Sequence, residues 1–269
     1  MKYLFLLLLG FSLFANTNCD RAKKQKQSVD DPKVETITAT PTVTKETLQF
    51  QATDGLAITA DYYPVADKEA PLIILFHQAG FSRGEYLEIA PQLNKLGYQC
   101  LAIDQRSGKT VNDVLNETHR AAIAKELPTK YVNAIPDLEA ALAYAKNELH
   151  AKEVILWGSS YSAALMFYMA SQHKDEIKAI LAFSPGEYFE IEGKKIQSFA
   201  ADITCPVFVT SAKAEQSAWQ SIYDQVQSDK HFFLPKSEGK HGSKALWEKH
   251  EGHEAYWQAV IAFLKSLKH

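Results

Sequence analysis

The chain has 269 residues, 46% of them hydrophobic and 23% charged, with a formal net charge of −3 and three cysteines. That makeup suits one well-packed domain of ordinary size rather than two large ones. Nucleic-acid binding needs clustered Lys and Arg against phosphate, and with no long basic block here, no nucleic-acid partner is expected.

The N-terminus differs from the rest. Lys2 precedes an apolar run from Tyr3 to Phe14, broken by Gly10 and Ser12, which has the length of a signal-peptide core and is short for a bilayer span. Residues 1–18 are therefore expected to be a signal peptide. Cys19 stands where a bacterial lipoprotein carries its lipidated cysteine, although Asn18 departs from the small residue usual before it; cleavage near Ala15 is the alternative. Residues 19–45 combine this cysteine with a polar stretch rich in charge, Thr and Pro, too polar to bury a core and suited to a tether. An exported protein held at a bacterial envelope membrane, on its periplasmic or surface face, is the expectation. A lipid anchor would be its one membrane contact.

From residue 46 to 269 the pattern is that of a folded domain. Residues 47–55 and 56–64 read as two strands joined through Asp54-Gly55, a hairpin turn pair. Residues 70–77 form a continuous apolar run, as in a strand buried on both faces of a parallel sheet. A helical stretch ends at Leu96-Gly97, with Pro91 marking its start or a kink, and residues 98–104 are the next buried strand. A helix over 133–149 carries Ile135, Leu138, Leu142 and Ala145 on one face. Strands are expected at 153–158, 177–184, 205–211 and 230–235, and helices at 164–173, 217–226 and 254–267. Such alternation implies a mostly parallel sheet covered on both sides. Residues 105–130 and 184–204 are long connections and so candidate walls of a substrate site.

One turn carries the chemistry. Gly158-Ser159-Ser160-Tyr161-Ser162 joins a buried strand to a helix and fits the pattern Gly-x-Ser-x-Gly, with Ser162 in place of the last glycine. A nucleophile on such an elbow needs small neighbours two residues either side, which makes Ser160 the candidate; choosing Ser159 would put Trp157 in a small-residue position. A serine hydroxyl needs a base, and the base an orienting acid, in the chain order Ser, acid, His. Of the later histidines, His241 lies between Gly239 and Gly242 after a strand, where sites of open α/β sheets collect. Glu215, following the strand at 205–211, is the expected acid, and Glu187 the alternative. An oxyanion hole needs two amide donors; Tyr161 N–H and Ala79 N–H are expected, with Gln78 next. Ser82 and Glu85 have the spacing of a capping box. Phe81, Tyr161, Tyr188, Phe189 and Trp219 are candidates for an apolar acyl pocket.

On the stretches 75–80, 97–108, 156–163, 205–215 and 240–246, taken in that order, the chain from about residue 46 to 268 resembles an α/β-hydrolase, similar to the dienelactone-hydrolase-like esterases and related bacterial lipoprotein hydrolases. The resemblance implies an α/β-hydrolase fold with an approximately eight-stranded, mostly parallel sheet, helices on both faces, a Ser-acid-His triad, and hydrolysis of an ester or similar acyl bond with no cofactor and no metal. It also implies a strand order that separates Cys100 from Cys205 by four strand spacings, about 19 Å, too far for a disulfide. A small-molecule ester is the expected substrate partner. A small serine peptidase, or a tethered binding lipoprotein without activity, are the alternatives; ester, amide or thioester preference and oligomeric state do not follow from the residues.

Overall fold

The computed structural model describes residues 44–267, so the expected signal peptide, Cys19 and nearly all of the expected linker lie outside the described residues. Strands β1 (Glu46–Gln51) and β2 (Ala57–Tyr63) form an antiparallel hairpin. At its turn the Asp54 side chain accepts the Leu56 N–H (3.2 Å), and Gly55 takes φ +76°, a conformation that costs glycine little.

The remaining strands are β3 (Leu72–Phe76), β4 (Gln99–Ile103), β7 (Val154–Ser159), β8 (Ile177–Phe183), β9 (Val207–Thr210) and β10 (Lys230–Phe233), with a separate two-stranded ribbon of β5 (Thr110–Val111) and β6 (Val114–Leu115). The main sheet has eight strands in the order β1-β2-β4-β3-β7-β8-β9-β10. β2 is antiparallel to β1 and to β4, and every other pairing is parallel.

Why the central strands read as unbroken apolar runs is visible in the core. Leu72, Ile74 and Phe76 of β3 and Val154 and Leu156 of β7 face one hydrophobic cluster; Ile73, Leu75, Ile155 and Trp157 face another. Both faces are covered, so alternation gives way to continuous hydrophobicity. The first cluster is closed by α3 (Ile135–Asn147), α4 (Tyr161–Gln172) and α6 (Gln216–Gln225). The second is closed by α1 (Ile89–Lys95) and α7 (His253–Ser266). Helix α1 starts two residues before Pro91, so the missing proline N–H falls in the first turn, where no intrahelical acceptor is lost.

The two long connections are structured. Residues after β4 carry the β5–β6 ribbon and α2 (Glu117–Ala124); those after β8 carry α5 (Ile196–Ala200). Arg106 is 2% exposed and holds the first connection down: it contacts Asp137 of α3 at 2.6 Å and Asp54 of the β1–β2 turn at 2.6 Å. Breaking such a buried pair costs about 3–5 kcal/mol, because the remaining carboxylate is left without its partner. Cys100 lies in β4 and Cys205 just before β9, four strands apart in the sheet, and both are free thiols.

Candidate active site

Gly158, Ser160 and the start of α4 form a tight corner. Ser160 sits at φ +59° and ψ −119°, outside the regions comfortable for a residue with a side chain, a strain of about 1–3 kcal/mol. It is held there by its N–H donating to Phe183 O (2.7 Å) and its carbonyl accepting from Ala164 N–H (3.2 Å). A Cβ at Gly158 would lie 2.6 Å from Ala163 N and from the Ser162 carbonyl, so only glycine permits β7 and α4 to approach this closely.

The corner brings three separated residues together. Ser160 Oγ lies 2.8 Å from His241 Nε2, and His241 Nδ1 lies 2.7 Å from Glu215 Oε1. In the tautomer that satisfies both contacts, Ser160 O–H donates to Nε2 and Nδ1–H donates to the carboxylate. Each residue stands at the carboxyl end of a strand: Ser160 after β7, Glu215 after β9, His241 in the loop after β10. Burial pushes the Glu215 carboxyl up, but hydrogen bonds from His241 and Ser184 outweigh it and hold the group below its ordinary value.

Glu187 goes elsewhere. Its two oxygens accept the N–H groups of Ile196 (2.7 Å) and Gln197 (2.8 Å) at the start of α5, while the His241 ring is occupied by Glu215; the alternative acid is thus a helix cap.

The loop after β3 carries two of the candidate amides, those of Gln78 and Ala79. Gln78 N–H donates to Glu85 Oε2 (2.8 Å), which removes Gln78 as a candidate oxyanion donor. Among the described residues, neither the Ala79 N–H nor the Tyr161 N–H donates to a protein acceptor. The direction of the Ala79 N–H is set from behind: the Gln78 carbonyl accepts from His77 Nδ1 (2.8 Å) and from Phe81 N–H (3.2 Å), and a trans peptide points its N–H the opposite way. His77 is fully buried, which pushes its pKa down to about 4 and keeps the ring neutral. Its Nε2 then accepts from Gln105 N–H (2.9 Å) and Asn116 Nδ2 (3.1 Å).

Ser162 turns out to have work for its hydroxyl at the position where the motif calls for glycine. Its O–H donates to His77 O (2.6 Å) and it accepts from Gln105 Nε2 (2.7 Å), joining the first turn of α4 to the loop after β3. The sequence reading missed Ser184, whose φ is +56°. Its O–H donates to Glu215 Oε2 (2.7 Å), and its oxygen accepts Gly242 N–H (2.8 Å), tying the acid to the histidine loop. Position alone offered a signal for it, since it directly follows β8 on the same sheet edge as the other three.

The capping box expected of Ser82 and Glu85 does not form. Ser82 Oγ accepts from Gly84 N–H (3.1 Å) and donates to Val114 O (2.7 Å), while the Glu85 side chain turns inward to Gln78 and Ser159. Trp219 also departs from the reading that placed it in an acyl pocket: it is fully buried, donates to Ser211 Oγ (2.8 Å) and packs against Tyr223 and Phe232. Phe81 stacks on Trp247. Of the other expected aromatics, the Tyr188 hydroxyl donates to Ser184 O (2.7 Å), while Tyr161 and Phe189 gather around Tyr131, which stacks on Tyr161 with centroids 4.7 Å apart and meets Phe189 at 6.1 Å. Among the described residues, no group of three or more His, Cys, Asp or Glu side chains has the arrangement of a metal site.

Residues 71–244 match the family model described as alpha/beta hydrolase fold. Among curated proteins, none matches the chain by sequence. Solved structures with a similar backbone include an esterase from Pyrococcus furiosus (TM-score 0.66, 17% identity, covering 83% of this chain and 93% of that one). A dienelactone hydrolase from Anabaena variabilis is similar to the same degree (TM-score 0.66, 12% identity, 83% and 98%). An acylaminoacyl peptidase from Pyrococcus horikoshii matches over 83% of this chain and 41% of its own (TM-score 0.59, 14% identity).

Proposed function

Because this chain belongs to the alpha/beta hydrolase fold family, we propose that it is a serine hydrolase that cleaves an ester or related acyl bond of a small substrate through Ser160, His241 and Glu215. The observation that carries this reading is the pair of contacts at 2.8 and 2.7 Å that link a serine on a strained corner to a histidine and then to a carboxylate.

Ser160 Oγ attacks the acyl carbon while His241 Nε2 takes its proton. Glu215 keeps the imidazole in the receptive tautomer and offsets the charge it gains. The negative charge on the tetrahedral oxygen is met by the Ala79 and Tyr161 N–H groups, which have no protein acceptor to leave; one such donor contributes about 3 kcal/mol to the transition state. His241 then gives its proton to the departing alcohol, and water repeats the cycle on the acyl-enzyme. Tyr188, Tyr131 and Phe189 offer an aromatic wall for the acyl part, and Ser160, only 9% exposed, favours a small one.

The test is covalent labelling with a fluorophosphonate probe, mapped by peptide mass, alongside turnover of a short-chain aryl ester. The wild-type protein is expected to carry the adduct on Ser160, and Ser160→Ala to lose both labelling and turnover. Glu215→Gln, which leaves the shape but removes the charge facing Nδ1, is expected to lower kcat by about 10³- to 10⁴-fold. A wild-type protein that takes no label, or a Ser160→Ala variant that still hydrolyses the ester, would sink the reading.

A further inference from the structure

Glu85 is a fully buried carboxylate that the proposed chemistry leaves unused. It has no cationic partner within ion-pair distance among the described residues. Burial disfavours the charge of a carboxyl group in that setting, so its hydrogen bonds are what offset the cost. Its Oε2 accepts the Gln78 N–H (2.8 Å), and its Oε1 accepts the Ser159 O–H (2.8 Å). Ser159 Oγ in turn accepts the N–H of Ser243, two residues past His241 (2.8 Å).

The chain of contacts therefore passes through the loop that presents the Ala79 amide, the residue before the nucleophile and the loop that carries the base. The same carboxylate also has its backbone anchored, through Trp247 Nε1 donating to Glu85 O (2.9 Å). Space around the link is full: a Cβ on Gly242, the residue between His241 and Ser243, would collide with both Gln78 Oε1 and Ser159 Oγ.

Resting on the serine-hydrolase reading above, we propose that Glu85 is a positioning residue: through Gln78 N–H and Ser159 Oγ it fixes the oxyanion donor and the histidine loop relative to Ser160. It touches no reacting atom. With the Gln78 N–H held by Glu85 and the Gln78 carbonyl held by His77, the peptide planes on both sides of Gln78 are fixed, so the Ala79 N–H keeps its aim when charge develops on the substrate. A donor displaced from that aim loses strength in the transition state far more than in the ground state, because the ground-state carbonyl asks little of it.

The consequence is a split between kinetic constants. Glu85→Gln keeps an acceptor for Gln78 N–H but presents an N–H group to Ser159, whose hydroxyl then has no acceptor there. Ser159→Ala breaks the same link from the other side and leaves Ser243 N–H without an acceptor. For each variant kcat on a short-chain aryl ester is expected to fall about 10- to 100-fold with KM changed less than about twofold. The rate of fluorophosphonate labelling at Ser160 should fall in parallel. Because both residues act through one link, the double variant is expected to be no slower than the worse single variant.

Wild-type protein and Ser160→Ala are run alongside. If the wild type neither takes label nor turns over ester, the hydrolase reading itself fails and the positioning role falls with it. If the wild type is active but folded Glu85→Gln and Ser159→Ala keep kcat within about twofold, or lose kcat and KM together in step with a lowered thermal midpoint, Glu85 is only a buried structural group and the proposal is overturned. Should Glu85→Gln fail to fold, Ser159→Ala decides between these outcomes by the same measurements.

Discussion

At the scale of single residues, the site is built from side chains whose charge or tautomer is set by burial. His77 is neutral because no water reaches it, and that neutrality lets Nδ1–H donate to Gln78 O while Nε2 accepts two bonds. Glu85 is the opposite case: burial raises its carboxyl to about 7 from an ordinary 4.5, against the hydrogen bonds from Gln78 and Ser159 that favour its charge. The fold thus binds the Glu85 proton more tightly than the unfolded chain does. Its contribution to stability is full below pH 4.5 and is lost as pH rises through 7, a change of about 3 kcal/mol. Glutamine cannot ionise, so the unfolding free energy of Glu85→Gln is expected to gain about 3 kcal/mol on the wild type across that window. Urea titrations at a series of pH values check this, and parallel stability curves for the two proteins would show that the fold leaves the Glu85 carboxyl at its ordinary value. Ser160, His241 and Glu215 were all legible in the sequence, since each follows a recognisable strand in the required chain order. Glu85 and Ser184 were not, because their partners lie 74 and 31 residues away and no local pattern announces them.

Elements, the next scale up, matter here through how closely they approach. The β7–α4 corner requires backbone contact at Gly158, and the first turn of α4 is stitched to the loop after β3 through the Ser162 hydroxyl. Gly158→Ala places a methyl group against the Ser162–Ala163 backbone, which has no freedom to move without shifting Ser160. Stability is expected to drop by about 3 kcal/mol, and labelling of Ser160 by a fluorophosphonate to fall even in the folded fraction. Unchanged denaturant midpoint and unchanged labelling would mean that the corner can relax. The strands of the main sheet and the helices α1, α3, α4, α6 and α7 were readable from hydrophobic period and turn residues, including the two-sided burial of β3, whereas α2 and α5, inside the long connections, were not expected. Helix α1 beginning before Pro91 follows from where a proline can be accommodated, which sequence alone placed only to within a few residues. The ribbon of β5 and β6 in the long connection after β4 was not foreseen: it is two residues per strand, below what periodicity can register.

For the whole molecule, strand order is the deciding property. It gathers the ends of β3, β7, β8, β9 and β10 along one edge, so that Ala79, Ser160, Ser184, Glu215 and His241 share a neighbourhood. The same order keeps Cys100 and Cys205 four strands apart. Burial pushes both thiols up, Cys205 to about 12, which leaves almost no reactive thiolate at neutral pH. The thermal midpoint of the folded domain is therefore expected to be the same with and without reductant, as read by calorimetry; a midpoint lowered by reductant would reveal a disulfide that this sheet does not allow. No helix among the described residues is long and apolar enough to cross a membrane.

What the amino-acid sequence determined by itself was everything that depends on near neighbours along the chain: the alternation of strands and helices, the small-residue corner around Ser160, and the order of serine, acid and histidine. These are set by backbone sterics and by apolar side chains recurring over a few residues, and such forces act within a window that sequence displays. Tertiary structure alone decided which buried polar groups pair. It chose Ala79 over Gln78 as the free amide, assigned Glu187 to a helix end and Trp219 to the core, and joined Glu85 to Ser159 and Ser243. A polar group removed from water must find some partner, and which partner is in reach depends on strands that become neighbours only when the sheet has formed.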